Sequence, residues 1–357
     1  MRRRTGLLCA TTLALAAALA TQLTPATAEP SGKPGLNAQH HELGLFGDMP
    51  YGATGRAQFP ALVESMNAQK LAFSIFDGDT KNGSEPCYAD PHATTATATP
   101  EKAVADADHP DVYKAALARF ELLEDPVVYT PGDNEWTDCD RPSTAGGAVS
   151  DSSDRLAYLR ALSFPTDQSL GQRTMTVVRQ SAAYPENARW SYGPVTYAVV
   201  NVPGSDNNFA DGGKNGPAAE GQAEYAARNA ADLDWVKQVF AAATADGSAA
   251  VLIAMQADMW DPTATLTHFA DMKAELARQA IAFGKPVVLV NGDSHSFETD
   301  KPLLDATGKV IESVTRVTTF GETQNHWVSV TVDASDPNVF TFHQHLVSAN
   351  LPTYTAP

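Results

Sequence analysis

Short apolar runs that break into polar, glycine-bearing loops set the rhythm of this chain. Leu43–Phe46, Leu71–Phe76, Val127–Thr130, Ala249–Met255 and Val287–Val290 are four to seven residues long and bounded by polar residues. Runs that short, apolar on both faces, read as buried strands. Between them, apolar residues recur at helical spacing in 56–69 (Phe59, Leu62, Val63, Met66), about 109–123 (Val112, Tyr113, Ala116, Phe120, Leu123), 151–163 (Leu156, Leu159, Leu162) and 218–243 (Leu233, Val236, Val239, Phe240). A further helix is predicted over 268–283, closed by Gly284 and Pro286. Asp108 or His109-Pro110 is the expected cap of the 109–123 helix. Strands are also predicted at 173–179 and 195–201, and the alternating tail predicts an antiparallel pair at 325–332 and 338–347. Segments 83–107 and 140–150, rich in Thr, Ala, Pro, Ser and Gly, read as loops. Strands alternating with helices make this a mixed α/β chain. No repeat or linker divides residues 42–357, which read as a single domain.

The beginning of the chain has a different character. Met1-Arg2-Arg3-Arg4 precedes an apolar stretch from Gly6 to Ala20 and then Ala26-Thr27-Ala28. This is the pattern of a secretory signal peptide cleaved near Ala28, and the apolar stretch is too short and wrongly flanked for a membrane span. Residues 29–41 are polar and read as a flexible leader. The expected location is therefore secreted, extracellular or periplasmic. Losing residues 1–28 removes three arginines and no carboxylate, which takes the net charge from −17 to −20 on 329 remaining residues. That balance excludes nucleic acid or an anionic membrane as the main partner and favours cation binding. The two cysteines that remain, Cys87 and Cys139, predict a disulfide in an oxidising compartment. It would join the loops that follow Asp79 and Asp133.

Candidate chemistry lies where the apolar runs end. Gly132-Asp133-Asn134-Glu135 follows Val127–Thr130, and the same arrangement recurs at Gly47-Asp48, Asp77-Gly78-Asp79 and Asn291-Gly292-Asp293-Ser294-His295. In open α/β sheets ligands gather at the carboxyl ends of strands, and polar residues buried there need partners. A lone Gly-Asp after a strand is an ordinary turn. Four in one chain argue for a cation or ligand, with Gln256 at the end of Ala249–Met255 as a further candidate or a simple strand cap.

The ordered set Gly47-Asp48, Gly78-Asp79, Gly132-Asp133-Asn134-Glu135, Gln256 and Gly292-Asp293-Ser294-His295 resembles the calcineurin-like metallophosphoesterase superfamily, as a divergent secreted branch. The family pattern runs Asp-x-His, Gly-Asp, Gly-Asn-His-Glu/Asp, a strand-ending His, then Gly-His-x-His. The resemblance spans about 43–347. It implies a four-layer αββα sandwich, two mixed sheets face to face with flanking helices, and one or two metals at the strand ends. It also implies hydrolysis of phosphate mono- or diesters by a metal-held hydroxide, with a small phosphorylated substrate as partner.

Position by position, the resemblance gives a first metal Asp48, Asp79 and His295. A second would share Asp79 and add Asp133, Gln256 and Asp293. The chain also departs from the pattern. Pro50 stands at a ligand His, and Asn134 at the family's acid or charge stabiliser, where it can donate a hydrogen bond but not a proton. Asp133, Gln256 and Asp293 replace nitrogen or amide ligands with an oxygen set, which favours Mg, Mn or Ca over Zn or Fe. Two functions stay open. One is a metal-dependent phosphoric ester hydrolase in which Asn134 orients the phosphoryl group. The other is a catalytically impaired binding protein with a structural hard cation. A glycosidase using paired carboxylates is a third class.

Overall fold

The apolar runs become the strands of two sheets. The computed structural model describes residues 39–88, 111–140, 150–209, 218–264 and 266–353. The expected signal peptide, most of the leader, and Asp108 and His109-Pro110 lie outside them. In chain order the elements are β1 (His40–Phe46), α1 (Gly52–Asn67), β2 (Leu71–Phe76), α2 (Val112–Phe120), β3 (Val127–Tyr129), α3 (Ser152–Ser163), β4 (Val178–Arg179), β5 (Ala188–Tyr192), β6 (Val195–Val199), the one-turn α4 (Gly204–Asn207), α5 (Ala218–Ala245), β7 (Ala250–Ala254), α6 (Ala270–Phe283), β8 (Val287–Asn291), β9 (Glu298–Asp300), β10 (Val314–Thr318), β11 (Trp327–Asp333) and β12 (Phe340–His345). The described residues belong to one unit, Leu36–Pro357.

Five strands form one sheet in the order β12-β11-β1-β2-β3, and seven form the other in the order β4-β5-β6-β7-β8-β10-β9. Both are mixed. β1, β2 and β3 run parallel while β11 and β12 are antiparallel. β6, β7, β8 and β10 run parallel between antiparallel β5 and β9.

The side-chain alternation of strands shows how the layers stack. Val195, Tyr197 and Val199 of β6, Leu252 of β7 and Val288 of β8 join the core shared with the first sheet. Their neighbours Ala198, Val251, Ile253 and Leu289 join a second core with Trp235, Val236 and Phe240 of α5 and Met272 and Leu276 of α6. Phe73 of β2 meets Tyr197 of β6 across the sheets, ring centres 4.9 Å apart. On the far side of the first sheet, Phe120 of α2 packs on Phe76 at 5.0 Å, and Ser65 of α1 accepts the Trp327 indole hydrogen bond at 3.0 Å. Helices, sheet, sheet, helices is the four-layer αββα order expected from the resemblance.

The departures from expectation are local. β1 begins at His40, inside the expected leader, because its backbone pairs with Asp333 of β11. α2 is capped by Asp111, whose carboxylate accepts from the Tyr113 and Lys114 amides. The strand expected at 173–179 shrinks to Val178–Arg179. β5, β9 and β10 went unpredicted. β10 hides a buried Arg316, neutralised by Asp258 and Asp300, within an otherwise β-like run. The tail pair is antiparallel as expected, with Val330 opposite Phe342. Cys87 and Cys139 form the predicted disulfide, Cα atoms 5.5 Å apart. Among the described residues no helix is long and apolar enough to cross a membrane.

Leu252 is fully buried between the sheets. Leu252→Ala is expected to lower unfolding stability by about 2–5 kcal/mol, read from chemical denaturation midpoints at unchanged slope.

Candidate metal centre

Every strand that carries a candidate ends at the same place. Asp48 follows β1, Asp79 follows β2, Asp133 follows β3, Gln256 follows β7, and Asp293 and His295 follow β8. The two sheets are joined there directly, since the Asp293 amide donates to Asp48 Oδ2 at 3.1 Å. Asp48 (φ 49°), Asp79 (φ 63°), Asp293 (φ 64°) and His295 (φ 62°) all have left-handed backbone. Each such non-glycine residue costs on the order of 1 kcal/mol or more, and strain of this kind clusters at functional sites.

Donor atoms of Asp48, Asp79 and His295 lie within 4.8 Å of one another. His295 Nε2 sits 3.2 Å from Asp48 Oδ1, and its Nδ1 is 3.5 Å from Glu322 Oε2. Asp133 and Asp293 flank this group. A Cβ on Gly204 would lie 2.8 Å from Asp133 Oδ2 and 2.9 Å from Asp293 Oδ2, so a side chain there would displace both carboxylates. Gly132 is held to the same demand by Asp79 Oδ1, 2.1 Å from where its Cβ would be.

Gln256 reaches the site in an orientation unlike that expected of a ligand. Its Oε1 accepts the Gly204 amide, and its Nε2 donates to Asp79 Oδ2 and Asp133 Oδ1, both at 3.3 Å. The amide therefore offers nitrogen to the carboxylates, where a metal ligand needs oxygen. Asn134 donates from Nδ2 to Asp79 Oδ2 at 2.6 Å and from its backbone to Asp79 Oδ1 at 3.0 Å.

Tyr51 is the residue that sequence reasoning passed over. Attention rested on Pro50, but the next side chain brings its hydroxyl to Asp79 Oδ2 (2.9 Å) and accepts from Asn134 Nδ2 (2.8 Å). Its place three residues after Asp48 was the only signal. Ser205 was missed as well. Its hydroxyl lies 2.7 Å from Asp133 Oδ2 and 2.8 Å from Asp138 Oδ1, with one proton to give to either.

Glu135 closes the Gly132-Asp133-Asn134-Glu135 motif in a supporting part. Its Oε1 accepts from the amides of Asp79 and Gly132 and from the Tyr129 hydroxyl, tying two loops together. Trp136 is buried beneath Arg228. Asn82 caps its own turn through Ser84. His345 stacks on Trp327, on the first sheet.

Comparisons with known proteins give little beyond this geometry. No protein-family model and no curated protein matches the sequence. Among solved structures, the chain is similar to a dimetal phosphatase from Danio rerio, with TM-score 0.48 and 13% identity over 86% of this chain and 99% of that one. It is also similar to GAP50, the anchor in the inner membrane complex of Plasmodium, with TM-score 0.45 and 9% identity over 89% and 98%. Likenesses this distant carry no inference about chemistry.

The electrostatics of the cluster do. Burial pushes the Asp79 carboxyl well above the usual range, and the charges of Asp133 and Asp48 push it further. Asp293 is raised in the same way, by burial and then by Asp133 and Asp48. Burial raises Asp48 too, against the pull of His295. For His295, burial works downward, but the hydrogen bond and charge of Asp48 outweigh it and lift the imidazole to about 9. Three buried carboxylates and a half-buried fourth, with a single imidazole, are short of positive charge. An oxygen-rich, charge-deficient, convergent donor set fits a divalent cation.

The sign of the pH dependence follows. Raised carboxyls and a raised imidazole all bind more protons folded than unfolded, so each destabilises the folded chain as pH rises. With chelator present, the melting temperature is expected to fall as pH climbs from about 4 towards about 9, the span between an ordinary Asp and the raised His295. Added Mg²⁺ or Mn²⁺ should raise it most at the alkaline end. Melting curves across that range check this, and a cation effect that does not vary with pH counts against the site.

Proposed function

We propose that this chain is a secreted, metal-dependent phosphoric ester hydrolase, a phosphomonoesterase or phosphodiesterase. The observation that carries the reading is the convergence of Asp48, Asp79 and His295 donors within 4.8 Å, with Asp133 and Asp293 against Gly204 beside them. Asp48, Asp79 and His295 would hold one divalent cation, and Asp79, Asp133 and Asp293 a second. The predominance of carboxylate oxygen favours Mg, Mn or Ca. Bound cations supply the positive charge that offsets phosphoryl oxygens and acidifies water.

The chain's own groups do the rest. Asn134 Nδ2 and the Tyr51 hydroxyl lie on the Asp79 side of the cluster, and both can turn a hydrogen bond onto a phosphoryl oxygen. The Glu135 staple and the Cys87–Cys139 bridge hold the loops of Asp79 and Asp133 in register. The substrate would be a small phosphorylated molecule. The N-terminal pattern and the disulfide support export.

One observation favours a second reading, the binding protein with a structural cation. Asp79 Oδ2 already receives three hydrogen bonds, from Tyr51, Asn134 and Gln256. Side-chain donors in that number can stand in for positive charge and leave catalysis behind. Elemental analysis separates the cases, since two metals per chain speak against the second reading.

Turnover of 4-nitrophenyl phosphate and bis(4-nitrophenyl) phosphate with Mg²⁺, Mn²⁺, Ca²⁺ and Zn²⁺ tests the first. Asp79→Ala should abolish it, and Asn134→Ala should lower kcat by roughly 10²-fold, the scale of losing one charge-stabilising donor. No rate above the Asp79→Ala background with any cation would sink the enzymatic reading.

A further inference from the structure

Asn134 leaves the proposed reaction without a proton donor for the departing alcohol. We propose that His268, oriented by Asp206, supplies that proton from the rim of the site. This deepens the hydrolase reading and rests on it.

The turn that carries Ser205 to Asp133 also carries Asp206 to His268. Ser205, Asp206, Asn207 and Asn208 all have left-handed backbone, with φ of 49°, 51°, 59° and 60°. Left-handed residues normally occur singly, and Ser, Asp and Asn are among the types that tolerate them. The four in succession turn adjacent side chains to opposite tasks. Ser205 Oγ faces the Asp133 and Asp138 carboxylates at 2.7 and 2.8 Å. Asp206 Oδ2 lies 2.6 Å from His268 Nδ1, and Asp206 Oδ1 accepts the His268 amide at 3.0 Å. Asp206 directly follows the residue whose hydroxyl reaches Asp133, so the turn that touches the donor cluster also carries the carboxylate that holds His268.

Everything around the imidazole fixes its orientation. A carboxylate can only accept, so Nδ1 carries the proton in that bond. The ring stacks on Phe209 with centres 3.5 Å apart, and Tyr225 meets it edge-on at 5.2 Å. The Asn207 amide donates to the His268 carbonyl at 3.2 Å. Nε2 bonds to no described residue, and the side chain is partly exposed. A carboxylate on Nδ1 and an open Nε2 is the arrangement by which a carboxylate orients an imidazole for proton transfer.

The other described histidines and the buried Lys81 are placed less favourably. His295 is held to Asp48, Lys81 Nζ donates to the Asn82 and Glu85 carbonyls, and His40, His41, His343 and His345 lie on β1 or β12, with His326 just ahead of β11.

The step balances. Water oxygen forms the new bond to phosphorus and its proton passes to solvent. The bond to the leaving oxygen breaks with its electron pair on that oxygen, which takes the Nε2 proton of the imidazolium. The neutral ring is reprotonated from solvent.

Leaving-group dependence tests this, with the full chain and the cation that gives the highest rate. Phenyl phosphate releases a poor leaving group that needs a proton, and 4-nitrophenyl phosphate a good one that does not. His268→Gln should slow phenyl phosphate by roughly 10²-fold or more, the usual worth of a positioned acid, and slow 4-nitrophenyl phosphate only slightly. Asp206→Asn should bias the enzyme the same way by a smaller factor, and it carries the test if His268→Gln fails to fold. Equal losses on both esters, or none on either, overturn the proposal and leave the hydrolase reading intact. Wild-type protein that turns over neither ester with any cation removes both.

Discussion

Four carboxylates cannot share a dry pocket without protons or positive charge among them. Asp48, Asp79, Asp133 and Asp293 are brought together from four strand ends and two sheets, the first three buried and Asp293 half-buried. Burial and mutual repulsion oppose the charge of Asp48, Asp79 and Asp293, yet the backbone bends to left-handed values at all three, and glycines at 132 and 204 lie where a Cβ would press on Asp79, Asp133 and Asp293. The fold works against its own stability at this point. Surrounding groups offset part of that cost through Tyr51, Asn134, Gln256 and His295, all directed at Asp48, Asp79 or Asp133. A cation offsets it more fully than any of them.

Much of the architecture was legible because both faces of the central strands are buried. Runs such as Leu71–Phe76 and Val287–Val290 carry no polar residue except Ser74, and they appear at the expected places. Where polar residues enter a strand, legibility fails. β10 contains Arg316 and β5 contains Arg189 and Ser191, and the patterns that conceal them depend on partners distant in sequence, such as Asp258. Helix ends were less readable than helix bodies, since Asp111 and Asp151 cap where neighbouring residues were equally plausible.

The site was legible in its skeleton and not in its orientation. Motif order was enough to assemble Asp48, Asp79, Asp133, Asp293 and His295. It said nothing of which way Gln256 turns its amide, because that depends on the Gly204 N–H, a backbone group from another loop. Tyr51 and Ser205 belong to no motif. Their hydroxyls matter only because of where the backbone delivers them, and the same holds for the pairing of Asp206 with His268 across 62 positions.

The placement of β1 has a consequence for how the molecule comes into being. This strand leads to Asp48, yet its antiparallel neighbour is β11, near the other end of the chain, with Leu45 opposite Val328. The first carboxylate of the cluster therefore stands on a central strand whose second edge is supplied only after β2, β3, β7 and β8, the strands that lead to the other donors, have been made. Contacts so remote in sequence slow folding, and a chain still emerging would show that edge bare. The strand that leads to Asp48 is thus fully paired only once β11, which follows all the other donor-bearing strands, has joined it.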